Sequence, residues 1–378
     1  MSGERTRAIR AGLNSDKTWN AVIPPVSLST AYRREEAGVK PAYDYARTGN
    51  PGRDTLAQAI GELEGAQGTV VAASGMAALD LLLHDLPFGA RVICSHDAYG
   101  GTRRLLDARA NGGRLVPVYV DTADLDAVET ALAEPAALVL VETPSNPRLR
   151  ISDIRAISAL ARKAGAETAV DNTVLSPILQ RPIELGADYS VQSITKIING
   201  HSDMVGGAVS CRSAERAERL AWWANCVGVG GGAFDAYLAL RGLRTLPVRA
   251  REQGKSAARI AQWLDADSRV ARVDYPGLES HPGHALAKTQ QSGFGQLISI
   301  ELATGVADET VNRLALFSLA QSLGGVESLV NIPAKMTHAS MSPEARLEAD
   351  VPDHLIRLSI GLEDADDLIA DIDQALGR

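Results

Sequence analysis

The strongest constraint on the fold is a recurring alternation along the middle of the chain. Short apolar runs rich in β-branched residues are each followed by a stretch with helical spacing. "TVVAAS" (69–74) leads into "GMAALDLLLHDL", and "RVICS" (91–95) leads into "YGGTRRLLDARANGG". "LVPVYVD" (115–121) precedes "LDAVETALAEP", and "ALVLVET" (137–143) precedes "DIRAISALARKAG"; "TAVDN" (168–172), "YSVQSIT" (189–195) and "GGAVSC" (206–211) complete the series. A strand that is apolar throughout needs cover on both faces, and parallel strands joined by helices supply it. The pattern therefore predicts an α/β domain over residues 56–240, with a mostly parallel seven-stranded sheet covered by helices. Ligands of such a sheet collect at the carboxyl ends of its strands.

The flanks read differently. Residues 1–55 have little periodicity and many Pro, Tyr and Arg, which suggests an extended N-terminal arm. Residues 241–378 read as a smaller α+β domain. There "REQGKSAARIAQWL" is an amphipathic helix, "GQLISIEL" a strand, "TVNRLALFSLA" a helix, "HLIRLSIGLE" a strand and "DADDLIADIDQALG" a closing helix. A net charge of −8 disfavours nucleic-acid or anionic-membrane partners, which reward a basic face. No apolar stretch is long enough to span a bilayer, and the charged start "MSGERTRAIRAG" does not resemble a secretion signal. Cys94, Cys211 and Cys226 are odd in number and lack CxxC spacing, as expected of reduced thiols in a cytoplasmic protein.

Chemistry is sought at the strand ends. Ser74-Gly75-Met76 follows one strand and opens a helix, whose free N–H groups can bind an anion. Asp171 ends the run "TAV", where a carboxylate is costly unless a cation meets it. Lys196 ends the run "YSVQSIT", and a desolvated lysine loses its proton readily. Each has a bland reading alone: a plain turn, an N-cap, a snorkelling lysine. Together an anion cradle, a carboxylate and an activatable amine suit pyridoxal 5′-phosphate (PLP), whose phosphate, ring nitrogen and aldehyde need those three groups. Ser193 and Thr195, two apart on a strand, would turn both hydroxyls toward the phosphate.

Longer motifs carry a resemblance. "YDYARTGNPGRDTLAQAIGELEG", "SGMAALD", "HDAYGGTRRLLD", "LVLVETPSNPRLR", "VDNTVLSPILQ", "SITKIINGHSDMVGG", "SLAQSLGGVESLV" and "RLSIGLEDADDLIADI" span nearly the whole chain. They resemble the Cys/Met-metabolism family of PLP enzymes, with the fold-type-I transferase architecture. "LAWWANCVGVGGGAFDAYLALRGLRTL" resembles the branch that performs γ-replacement on O-acylated homoserine.

The resemblance implies roles for particular residues. Lys196 would carry the cofactor and shuttle protons, and Asp171 would pair with the ring nitrogen. Gly75, Met76, Ser193 and Thr195 would hold the phosphate, and Tyr99 would stack on the ring and serve as an acid–base candidate. Asn146 would sit near the ring hydroxyl. Tyr45 and Arg47 would reach the phosphate of a neighbouring subunit, making a homo-oligomer with shared sites, at least a dimer and in this family usually a tetramer. Arg357 would clamp the substrate α-carboxylate, with Ser322 beside it, while Asp44, Arg104 and Gln321 would approach the substrate's distal groups. The implied reaction joins O-succinyl-L-homoserine and L-cysteine into L-cystathionine; cleavage of cystathionine at its γ or β carbon is the alternative.

Two departures bear on that choice: Gln321 stands where relatives commonly carry Glu, and Thr48 where many bacterial members have a second arginine. His201 and Ser202 are read as local hydrogen-bonding residues, and Trp222 and Trp223 as core or interface aromatics. The glycines at 228–232 lack a nucleotide-site context, and His281, His284 and His338 lack metal-ligand spacing.

Overall fold

The structure, a computed structural model, describes residues 3–339 and 341–377. The arm is not wholly extended. It opens with helix α1 (Glu4–Arg10), tied by Glu4 to Arg181 at 2.9 Å and to Arg251 at 3.2 Å. Helix α2 (Pro51–Glu64) begins ahead of residue 56 because Asn50 caps it, accepting from the N–H groups of Gly52 and Arg53, with Pro51 in the first turn.

The large sheet contains β1 (Gly68–Ala72), β2 (Ala90–Ser95), β3 (Leu115–Val120), β4 (Leu138–Glu142), β5 (Glu167–Asp171), β6 (Tyr189–Ser193) and β7 (Gly207–Cys211). The order is β1-β7-β6-β5-β4-β2-β3; β7 runs antiparallel to both neighbours and the other pairings are parallel. Between the strands lie α3 (Gly75–His84), α4 (Gly100–Asn111), α5 (Leu125–Ala131), α6 (Ile154–Lys163) and the short α7 (Ser176–Leu179). After β7 come α8 (Ala214–Val227), α9 (Ala233–Leu243) and α10 (Leu246–Asp265). Both faces are covered. Val92, Leu140, Ala169 and Val191 pack with Leu79, Leu106 and Leu220 of α3, α4 and α8. Ile93, Val139, Val141 and Val170 pack with Val128 of α5 and Ile154 and Ile157 of α6. Each fully buried Leu or Val contributes about 1.5–3 kcal/mol through lost water contact.

A second sheet has the order β10-β11-β12-β9-β8. Its parts are β8 (Val270–Asp274), α11 (His284–Gln290), β9 (Leu297–Leu302), α12 (Ala307–Arg313), β10 (Ser318–Leu319), β11 (Leu329–Asn331), α13 (Pro343–Glu348), β12 (Ile356–Ser359) and α14 (Ala365–Leu376). The helix expected over 310–320 ends at Arg313, because Asp371 accepts the N–H groups of Ala315 and Leu316 and turns the chain into β10. Ile260 and Leu264 of α10 and Leu368 and Ile372 of α14 cover this sheet. Among the described residues no helix is long and apolar enough to cross a membrane.

Candidate active site

A cavity of about 250 Å³ opens at the carboxyl ends of β1, β4, β5 and β6, roofed by residues 321–323 and Thr337. Gly75, Met76, Tyr99, Asn146, Asp171, Ser193, Thr195, Lys196, Gln321, Ser322 and Arg357 all line it. Ser74 caps α3 by accepting the N–H of Ala77 at 3.0 Å, which leaves the amides of Gly75 and Met76 pointing at the cavity from a helix N-terminus. A Cβ on Gly75 would stand 2.8 Å from Ser193 Cβ, and one on Gly207 would stand 2.1 Å from Ser74 O. Both glycines let β6, β7 and the head of α3 converge.

Asp171 ends β5 as the sequence indicates, and Oδ1 accepts the N–H of Thr173 at 3.0 Å. Burial holds its carboxyl above the usual range, opposed by the Thr173 hydrogen bonds. Strand β6, however, stops at Ser193, so Thr195 and Lys196 lie in a turn rather than on the strand. Thr195 Oγ1 accepts the N–H of Gly206 at 3.0 Å and donates to its carbonyl at 3.2 Å, bending the chain away from the sheet. The hydroxyls of Ser193 and Thr195 therefore do not present as an alternating pair.

Lys196 Nζ donates to Ser322 Oγ at 2.9 Å. Burial, with Arg357 nearby, pulls its pKa down to about 8. Ser322 holds a left-handed φ of +106°, an uncommon conformation for a residue with a side chain, and it aims Oγ at the amine. Arg357 on β12 is 1% exposed, and donates from Nη1 to Asn146 Oδ1 at 2.8 Å and from Nη2 to Ser322 O at 2.7 Å. Its buried Nε has no partner among the described residues. Burial lowers its pKa to about 10, so the guanidinium remains charged and ready for an anion.

Glu142, which sequence reasoning missed, organises this wall. It ends β4, and its buried carboxylate accepts the N–H of Tyr99 at 2.8 Å and of Asn146 at 3.1 Å. Burial, then the charge of Asp171, raises its pKa well above normal. The signal was available, since an acid ending the apolar run "LVLV" parallels Asp171 ending "TAV". Gly101 gives the Tyr99 ring its place, as a Cβ there would stand 2.4 Å from Tyr99 Cε1.

Four expected residues lie elsewhere. Tyr45 is exposed and stacks under the Arg47 guanidinium, which donates to Asn225 O at 2.8 Å and Oδ1 at 2.7 Å on α8. Asp44 pairs with Arg34 at 2.7 Å, and Arg104 is exposed on α4. None of the four lines the cavity of its own chain. His201 Nδ1 bonds Asn199 O at 2.7 Å, the local contact expected of it, whereas Ser202 bonds the distant Glu327 rather than a local partner. Trp222 and Trp223 meet edge to face, away from the cavity.

The Cys/Met metabolism PLP-dependent enzyme family matches residues 5–377. The chain belongs to this family. It is 46% identical to cystathionine γ-synthase of Escherichia coli K12, over 98% of the chain and 97% of the relative. It is 42% identical to cystathionine β-lyase of Lactococcus lactis MG1363, over the full length of both. A solved structure of cystathionine γ-synthase from Xanthomonas oryzae pv. oryzae, in complex with aminoacrylate and cysteine, superimposes with a TM-score of 0.98 at 49% identity, covering 100% of this chain and 98% of that one.

As a member of the Cys/Met metabolism family the protein is a PLP-dependent enzyme, and the residues present fit the cofactor. Among the described residues the amides of Gly75 and Met76 offer donors without partners, Asp171 offers a buried acid, and Lys196 offers an amine that no carboxylate neutralises. Bound, PLP supplies an aldehyde that condenses with amines and a ring that draws electrons from the substrate's α carbon.

Proposed function

We propose that the enzyme carries out γ-replacement, joining an O-acyl-L-homoserine, with O-succinyl the expected form, to L-cysteine to give L-cystathionine. The observation that carries this reading is Lys196 Nζ, desolvated and, among the described residues, bonded only to Ser322, in the same cavity as an arginine whose Nε has no partner among them. The highest identities among these relatives, 46% and 49%, are to γ-synthases and support replacement, although a γ-lyase and another γ-synthase both stand at 43%.

The roles follow from position. Lys196 would hold the cofactor, take a proton from the substrate's α carbon, hand that proton on to the cofactor or water, and then, as a free amine again, take one from the β carbon, the second being what frees a leaving group at the γ carbon. An amine titrating near 8 is largely matched to that work at neutral pH. Asp171 meets the ring nitrogen. Gly75, Met76 and Ser193 hold the phosphate, with Thr195 beside them. Arg357 binds the α-carboxylate, kept in place by Asn146 and Ser322, and Tyr99 lies over the ring. Tyr45 and Arg47, outside their own cavity, complete the site of a second copy, so the working unit is a homo-oligomer. Free thiols at Cys94, Cys211 and Cys226 suit a cytoplasmic enzyme.

A cystathionine lyase is the second reading, favoured by Thr48, which the lyase-like branches share and which here bonds Asn225 at 3.2 Å; Gln321, lining the cavity, departs from both branches. Product analysis decides. Incubation with O-succinylhomoserine and cysteine should yield cystathionine by mass spectrometry, whereas cystathionine alone should persist. Pyruvate with homocysteine would instead establish β-cleavage, and 2-oxobutyrate with cysteine γ-cleavage. Lys196→Ala should abolish the visible absorption of the PLP-loaded protein.

A further inference from the structure

We infer that Arg249 is a positioning residue for Lys196, fixing from outside the cavity the turn that presents the amine. This rests on the reading of Lys196 as the reactive group. Residues 194–199 belong to no strand or helix. Backbone bonds tie Thr195 N to Gly206 O and Lys196 N to Ser193 O, but the carbonyls that follow the lysine are held from α10, by Arg249. Its Nη1 donates to Ile197 O at 2.7 Å and its Nη2 to Ile198 O at 3.0 Å, the two carbonyls that directly follow the lysine. No other donor among the described residues reaches either carbonyl. Nη2 also donates to Gly242 O at 2.8 Å, in the last turn of α9, and Nε to Thr245 Oγ1 at 3.1 Å.

This guanidinium is 4% exposed and faces carbonyls and a hydroxyl rather than an acid. Burial alone lowers its pKa, to about 10. A buried charge without a counter-ion is costly, and it is retained here with three of its five N–H groups on backbone carbonyls and a fourth on the Thr245 hydroxyl. The surroundings are shaped to admit it. A Cβ on Gly200, whose φ is +71°, would stand 1.9 Å from Arg249 Nη1. A Cβ on Gly242 would stand 2.2 Å from Asn199 O, and one on Gly324, at φ +76°, 2.7 Å from Ile197 N. Three elements thus forgo side chains where they close on one turn. The loop bearing Gly324 also bears Ser322, which accepts from Lys196 Nζ, so the turn and the tip of its lysine are fixed together.

A turn free to shift would let water reach the amine. Arg357, Asp171, Tyr99 and Glu142 are the charged or titratable groups around the cavity, and no acid faces Arg249 itself. The amine's depressed basicity therefore depends on being kept dry beside Arg357.

The test uses the cofactor-free full chain. The pH midpoint for modification of Lys196 by an amine-reactive reagent is read by peptide mass spectrometry in wild type, Arg249→Gln, Arg249→Lys and Gly200→Ala. Arg249→Lys keeps the charge but cannot bridge two carbonyls, and Gly200→Ala keeps the arginine but displaces it. In each folded variant the midpoint should rise by about one unit, as expected for a partly rehydrated amine. With cofactor restored, kcat should fall by about 100-fold with KM little changed, the cost of a misplaced reacting group. A wild-type midpoint in folded Arg249→Lys or Gly200→Ala overturns the inference. If Lys196→Ala retains the visible absorption, the underlying reading of the lysine fails instead.

Discussion

His338 sits beside the Arg357 guanidinium, buried and without exposure to solvent. Its Nδ1 meets Thr337 Oγ1 at 2.9 Å, and Nε2 has no partner among the described residues. Burial, then the charge of Arg357, lowers its pKa to about 4 from 6.5. As pH falls the unfolded chain takes this proton first, so the stabilising contribution is complete above about 6.5 and is lost progressively down to about 4. Denaturant titrations at pH 7 and pH 5 should show wild type losing about 2 kcal/mol more than His338→Gln over that interval. Equal losses would mean the imidazole is protonated in the folded protein. Residue by residue, the sequence disclosed groups that interrupt apolar runs, such as Asp171 and Lys196. It was silent on His338 and Arg249, whose significance lies in neighbours brought from distant segments.

At the scale of elements, the end of the cavity proposed to take the phosphate is a junction of three chain segments. The N-terminus of α3, the end of β6 and the start of β7 meet there through Gly75 and Gly207. Gly75→Ala would push against Ser193 Cβ at 2.8 Å, and the adjustment would misalign the amides that open α3. PLP titration followed by visible absorption should show about tenfold weaker binding, equivalent to about 1.4 kcal/mol. Unchanged affinity would move the phosphate elsewhere. Strands buried on both faces were legible because their apolar runs admit few other readings. The ends were less so. β6 was read two residues too long because the Thr195–Gly206 hydrogen bonds that turn the chain join residues eleven apart. β8 went unseen because its exposed middle lacks an alternating pattern. β10 exists through parallel pairing with β11, a tertiary event that no local pattern announces.

At the scale of the whole molecule, the arm is the feature with the largest consequence. Arg47 is anchored on α8 with Tyr45 beneath its guanidinium, both outside their own cavity, while Trp19 and Leu28 remain largely exposed. If the arm completes a neighbour's site, Arg47→Ala and Lys196→Ala subunits should each be impaired as pure assemblies. Mixed assemblies should regain activity, because some sites then combine an intact arm with an intact lysine. No regain would assign Arg47 to its own subunit. The motif "YDYARTG" stood out in the sequence, but what it serves depends on how chains meet.

The strand order of the large sheet has a bearing on how the molecule is made. β1 lies at one edge, and its ladder partner in that sheet, β7, is encoded far downstream, after every other strand. A nascent chain must therefore carry β1 with its pairing groups unmet until β7 emerges, a separation that slows closure. Since β7 follows β6 through the segment bearing Lys196, the last step of sheet assembly is also the step that sets in place the lysine proposed to hold the cofactor.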